Sequence, residues 1–233
     1  MIDYFAVTDA TWPAAGRRQV GPFLVREGAG GGNRVSAASR IARWGESDIA
    51  AVEDTQVLLG QSPLFMIRPG EDDLDAALEV RGYRIFEPVV VRAAEVAVVA
   101  SPPPPLSAFA IWPPLEIMCD LWREGGIGPG RLAVMHRAEG PKTAILGRAN
   151  DRAAGTAFVA IHGKTAMLHA LHVDPGQRRQ GTAVNIMRMA AIWAQDHGAT
   201  QLSIVVTRAN DAANALYAFL GMQIVGHYHY RSK

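Results

Sequence analysis

Two hydrophobic periods take turns along the chain. Short stretches alternate or run apolar, as strands do, and longer ones repeat every three or four residues, as helices do. In the first hundred residues Gly21–Arg26 and Arg34–Ala38 read as strands, and Ser47–Leu59 as a helix. Ser47 is its expected N-cap, with Ile49, Val52 and Leu59 on the buried side. Pro63–Arg68 reads as a short strand, Asp73–Arg81 as a helix stopped by Gly82, and Tyr83–Val91 as a longer strand. Pro88 lacks an N–H for the ladder, so this strand is expected at an edge or in a bulge. Trp12-Pro13 falls in an early helix or loop. The glycine run Gly28–Asn33 joins two strands rather than a strand and a helix. It lacks the helix dipole of a phosphate loop and reads as a flexible hairpin connection.

Ser101–Pro105 (SPPPP) is a stiff extended spacer. Beyond it, Phe109–Trp112 reads as a strand, and Pro114–Arg123 and Gly130–Arg137 as helices. Thr143–Arg148, Gly155–His162 and Lys164–Val173 form an antiparallel meander with turns at Asn150-Asp151 and Gly163-Lys164. A helix closed by Gly198 then leads to the strand Gln201–Val206, which must lie parallel to Leu168–Val173. Helix 212–220 and strand 222–230 end the chain. The fold class is α+β: a mixed, mostly antiparallel sheet flanked by helices. Aligning Gly82 with Gly221 lays helix 73–81 on helix 212–220 and strand 83–91 on strand 222–230. Residues 1–100 therefore read as a reduced copy of 106–233, joined by the linker 101–105; an unrelated α+β cap is the alternative.

Composition narrows the function. Of 233 residues 49% are hydrophobic, and the formal net charge of +1 gives no case for nucleic acid or membrane as a partner. The single cysteine, Cys119, excludes an internal disulfide and a cysteine-rich metal site. No run of apolar residues is long enough to span a bilayer, and the start MIDYFAVTDATW does not read as a signal peptide, so a cytoplasmic location is expected. No metal is expected.

Candidate chemistry centres on Leu168–Ala183, LHALHVDPGQRRQGTA. A buried strand ends at Asp174-Pro175-Gly176, and a basic loop then enters a helix at Gly181-Thr182-Ala183. Such a helix start aims several N–H groups one way and, with its dipole, makes an anion site. Gly181 and Ala183 allow close approach, and Arg178 and Arg179 add charge at the rim.

Arg178-x-x-Gly181-x-Ala183 resembles the loop with which GNAT acyltransferases hold the pyrophosphate of acetyl-CoA. Asn210-x-x-Ala213-x-x-Leu216-Tyr217 with Gly221-Met222 resembles the second signature of that superfamily, Met222 standing where Phe is usual. The ending Tyr228-His229-Tyr230-Arg231 resembles the last strand of many members. The likeness spans residues 106–233 and suggests a tandem form whose first half is degenerate. It implies N-acetyl transfer from acetyl-CoA to a primary amine or peptide by direct attack in a ternary complex. Leu171, His172, Val173, Arg178, Arg179, Gln180, Gly181, Thr182, Ala183, Asn210, Ala213 and Tyr217 would contact the coenzyme A moiety. A backbone N–H around Leu171–Val173 would polarise the thioester, and Tyr217 would protonate the departing thiolate. LHALHV resembles the LHALAV of the serotonin N-acetyltransferase branch, which makes His169 the expected base. Three residues separate His169 from His172, so the two should lie on opposite faces of one strand, barring a bulge. A non-catalytic acyl-CoA-binding or sensing protein is the alternative. The acceptor is not legible in the sequence, and neither is the oligomeric state.

At the position matching Tyr217 the first half has Leu78, and at the matching helix start it has Glu46-Ser47-Asp48. It should therefore bind no coenzyme A and instead supply Trp12, Arg26 and Arg34 to a wall of the acceptor cavity.

Overall fold

The computed structural model describes residues 2–233. Helix α1 (Tyr4–Thr11) leads to strands β1 (Gly16–Val20), β2 (Phe23–Glu27) and β3 (Ala38–Arg40). Helix α2 (Glu46–Leu58), strand β4 (Leu64–Ile67), helix α3 (Asp72–Val80), strand β5 (Arg84–Glu95) and the single turn α4 (Val96–Val99) complete the first part. The second part runs β6 (Ala108–Ile111), α5 (Glu116–Glu124), α6 (Pro129–Arg137), β7 (Lys142–Ala149), β8 (Arg152–His162) and β9 (Thr165–Val173). It ends with α7 (Thr182–Asp196), β10 (Gln201–Thr207), α8 (Asp211–Phe219) and β11 (Gln223–Ser232). Among the described residues no helix is long and apolar enough to cross a membrane.

All the strands join one sheet in the order β1-β2-β3-β4-β11-β5-β10-β9-β8-β7-β6. With β6 set aside, the run β1-β2-β3-β4-β11 on one side matches β7-β8-β9-β10-β5 on the other. β3 and β4 are parallel, as are β9 and β10, and the other neighbours are antiparallel. Each half's last strand crosses to the other half: β11 pairs with β4, β5 pairs with β10, and the two meet at the centre.

Period-2 alternation sorts the meander's side chains onto two faces. Ile145, Ala157, Val159, Ala166 and Leu168 meet α7 and α8 in one core, together with Ile186, Ala190 and Tyr217. Ala144, Phe158 and Ala160 meet α5, α6 and Trp12 in another. Gly147 lets α7 sit close to the sheet, because a Cβ there would lie 2.7 Å from Ile186 Cδ1.

Several local expectations are corrected. Residues Asn33–Val35 form a 3-10 turn, and the strand begins only at Ala38. The glycine run before them is not a free hairpin connection but packs on the start of α6. A Cβ on Gly130 would lie 2.5 Å from Gly30 O, and one on Gly31 would lie 2.6 Å from Val134 Cγ2. The N-cap of α2 is Gly45, whose N–H donates to Asp48 Oδ2 at 2.7 Å, so Ser47 lies inside the helix. Of the two placements expected for Pro88, the bulge is the one found, in an interior strand. The proline is tolerated because the bulge interrupts the register there, with Glu87 at φ +42°.

Candidate active site

β9 and β10 are paired only as far as Leu168 and Ile204, although both strands run on. Their separating ends, with α7 and α8, enclose a cleft of about 920 Å³. The mouth of the cleft is the N-terminus of α7. Gly181 adopts φ +80°, a left-handed conformation that glycine takes at no steric cost. No side chain among the described residues caps this helix, so its first N–H groups are open to a ligand. A Cβ on Gly181 would meet no protein atom, and the buried hydroxyl of Thr182 has no partner. A free helix start, open space at its glycine and an orphaned hydroxyl together suit a phosphate group. Arg178 Nε donates to Val173 O at 3.3 Å and ties the loop to the end of β9.

Of the residues expected to contact coenzyme A, Leu171, Val173, Arg178, Arg179, Gly181, Thr182, Ala183, Asn210, Ala213 and Tyr217 line this cleft. The side chains of His172 and Gln180 do not. Gln180 Oε1 accepts from Asn150 Nδ2 at 2.7 Å, outside the cleft. His172 packs against Gly125 at the end of α5, and its buried Nε2 has no partner. Burial, then the charge of Arg178, lowers its pKa.

His169 and His172 share one face of β9, contrary to the alternation argument. The ladder slips between Thr156↔His172 and Phe158↔His169, and the extra residue is Ala170 at φ +52°. This bulge restores the parity that a three-residue spacing would lose. The Ala170 carbonyl accepts from Trp122 Nε1 at 2.8 Å.

His169 is buried between Trp12 and Phe158. Its tautomer follows from its neighbours. The Thr11 hydroxyl donates to Val7 O at 2.7 Å and so accepts from His169 Nε2–H at 2.9 Å. His169 Nδ1 then accepts from Arg34 Nη1 at 2.9 Å. Arginine is always a donor. Burial, and then the charge of Arg34, hold the imidazole well below its ordinary pKa. The one lone pair of His169 is thus engaged by a permanent cation, which is unfavourable for a base.

Tyr217 lies on α8 with its ring in the cleft wall, and its hydroxyl has no partner among the described residues. Burial pushes its phenol far up, so it keeps its proton at neutral pH. The position of α8 depends on groups that sequence reasoning missed. Asn210 caps the helix by accepting from Ala213 N at 3.1 Å. Arg92 on β5 donates to Asn214 Oδ1 at 3.1 Å and to Met222 O at 3.0 Å, so a first-half strand holds the helix that carries Tyr217.

In the first half the corresponding strand ends are closed. The Arg68 guanidinium donates to Arg40 O and pairs with Glu71, which Arg40 also approaches. Leu78 is fully buried where Tyr217 lies in the second half. Of the three residues expected at the acceptor wall, Trp12 and Arg34 line a second cavity beside the cleft. Arg26 instead pairs with Asp9 at 2.7 Å and bonds Ala37 O and Ser39 Oγ.

Residues 112–222 match the Acetyltransferase (GNAT) family. A GCN5-related N-acetyltransferase from Kribbella flavida has a similar fold, with a TM-score of 0.71 at 16% identity over 98% of this chain and 93% of that one. So does a functionally unknown conserved protein from Staphylococcus epidermidis, with a TM-score of 0.73 at 11% identity over 100% and 97% of the two chains. A tandem GNAT protein from the clavulanic acid biosynthesis pathway gives 0.59 at 13% identity over 84% and 74%. These likenesses concern the fold. No curated protein sequence matches this chain.

Proposed function

We propose that this chain, whose residues 112–222 match the Acetyltransferase (GNAT) family, transfers the acetyl group of acetyl-CoA to a primary amine in a ternary complex. The observation that carries this reading is the uncapped, left-handed start of α7 at Gly181, opening on a cleft whose wall holds a neutral tyrosine. Bound acetyl-CoA supplies an acyl group activated as a thioester.

The protein's own part has three components. The α7 N-terminus, with Arg178 and Arg179 at its rim, holds the pyrophosphate. The strand segment Leu171–Val173, freed from pairing with β10, lies along the cleft and positions the thioester. As the amine nitrogen bonds to the carbonyl carbon and the carbon–sulfur bond breaks, Tyr217 gives its proton to the leaving sulfur; the amine's surplus proton leaves to solvent and the phenol is reprotonated from water. His169 is a positioning residue for Arg34 in this scheme. Residues 106–233 form the catalytic unit, 101–105 the spacer, and 1–100 a second copy of the fold that binds no coenzyme A.

A sensor without turnover has no use for a neutral phenol in this cleft. Calorimetry with CoA, followed by thiol release from acetyl-CoA with a panel of amines, tests the proposal. Absence of CoA binding would overturn it, and binding without turnover on any amine would favour the sensor.

A further inference from the structure

The second cavity, of about 210 Å³, opens beside the cleft. Arg34, Ala170, Val205 and Thr207 line both, so the two spaces meet at those residues. At about 30 Å³ per water, the smaller one holds roughly seven waters' worth of ligand, the size of a small molecule.

Its charges are unusual. Arg34 contributes a guanidinium whose buried Nε has no partner and whose Nη1 is held by His169. Arg131, which follows Gly130 on α6, adds a second, lying against Gly32. Neither forms an ion pair among the described residues. The backbone contact between Gly30 and Gly130 is what brings the two arginines to one wall. The cavity also holds one carboxylate, Glu87, which the β5 bulge pushes out of the ladder. Glu87 Oε2 accepts from Asn33 Nδ2 at 2.8 Å, which fixes its orientation, and it too forms no ion pair among the described residues.

Two guanidinium groups and one carboxylate, all without ionic partners, are complementary to a zwitterion of opposite layout. We propose that the acceptor is a free amino acid, its carboxylate on Arg34 and Arg131 and its ammonium toward Glu87. A peptide N-terminus lacks the adjacent carboxylate and would leave both arginines unpaired. The chain from Val7 O through Thr11 and His169 to Arg34 then serves acceptor binding, because it fixes the guanidinium that receives the carboxylate. This assignment rests on acetyl transfer in the adjoining cleft.

The test starts with calorimetry on the full chain. CoA is titrated first, and single amino acids are then titrated into the CoA-loaded protein. Every amino acid that binds is assayed for acetyl transfer beside its carboxamide and its decarboxylated amine. Loss of the carboxylate should raise KM about 10- to 100-fold, the range for a lost charged hydrogen bond. Arg131→Ala, at an exposed position, should give a similar rise for the amino acid and almost none for the decarboxylated amine. Glu87→Gln should weaken both. Equal use of amino acids and decarboxylated amines would overturn the proposal. So would CoA binding with no amino acid bound, in which case the acyl-donor reading still stands. Absence of CoA binding would sink the acyl-donor reading instead, and this proposal with it.

Discussion

His169→Gln separates a buried neutral imidazole from a working base. In the unfolded chain the imidazole titrates near its ordinary value of 6.5, whereas in the folded protein burial and Arg34 hold it well below. The folded value is depressed, so the stabilisation is present above the unfolded pKa and is lost as pH falls. Below that point the unfolded state binds more protons than the native state, so stability falls with pH, by at most about 1.36 kcal/mol per pH unit for one group. The window to examine runs from about pH 7.5 down to about pH 5, across the ordinary imidazole value. Glutamine does not titrate, yet its Oε1 can accept from Arg34 while its Nε2 donates to Thr11. Other titrating groups, His172 included, are common to both proteins and cancel. Urea denaturation of wild type and variant across this range is the assay. Wild type should lose more stability than the variant on acidification, and the acidic limb of the pH–kcat/KM profile should be the same in both. Equal losses would refute the neutral, Arg34-bound imidazole, and a limb that disappears in the variant would restore His169 as the base.

Gly181→Val should abolish CoA binding in calorimetry with the fold kept. A Cβ there meets no protein atom, so the damage falls on the ligand's space and, by about 1–3 kcal/mol, on a strained left-handed backbone; wild-type affinity would remove the anion site from α7. Arg178→Ala should weaken CoA by about 1–3 kcal/mol, and an unchanged dissociation constant would exclude it from the rim. Tyr217→Phe should lower kcat by about 10²-fold with CoA affinity kept, and an unaltered kcat would take the acid elsewhere. Titration of CoA should saturate near one per chain, because Arg68, Arg40 and Glu71 close the matching strand ends of the first half; a stoichiometry of two would show that half to be a working site.

Local period and turn chemistry made most elements legible. Ile49, Val52, Leu74 and Leu78 are buried on their helices as spacing demands. The left-handed turn at Asn150-Asp151 follows from residues that tolerate φ above zero. The cleft was legible because the helix start at its mouth lies within one short segment, from Arg178 to Ala183. The misses have physical causes. The Ala170 bulge turns the parity of β9 through a left-handed alanine, which no sequence signal marks. The glycine run looked like slack, since only its contact with Gly130 gives it purpose. Glu87 meets Asn33, Arg131 meets Gly32 and Thr11 meets His169, partners too distant in the chain for spacing arguments to reach. Pro88 did mark the place where the strand breaks, and Glu87 is the residue it displaces.

The strand exchange makes the first half indispensable to a cleft that lies in the second. β10 is parallel to β9 on one side and needs a partner on the other. That partner is β5, which pairs with it from Gln201↔Glu95 to Thr207↔Val89. Removing residues 1–100 would leave β10 an open edge and remove the contacts of Arg92 to Asn214 on α8 and to Met222 just beyond it, so the helix that carries Tyr217 would lose its anchorage. The same strand carries Glu87 to the smaller cavity, and the turn before β3 carries Arg34. The two halves therefore divide the site by chemistry. In the proposed reaction the second supplies the helix start and the phenol that would handle an acyl donor, and the first supplies charged groups facing whatever approaches it. Because β5 and β11 lie side by side at the centre of one sheet, neither set can shift without moving the other.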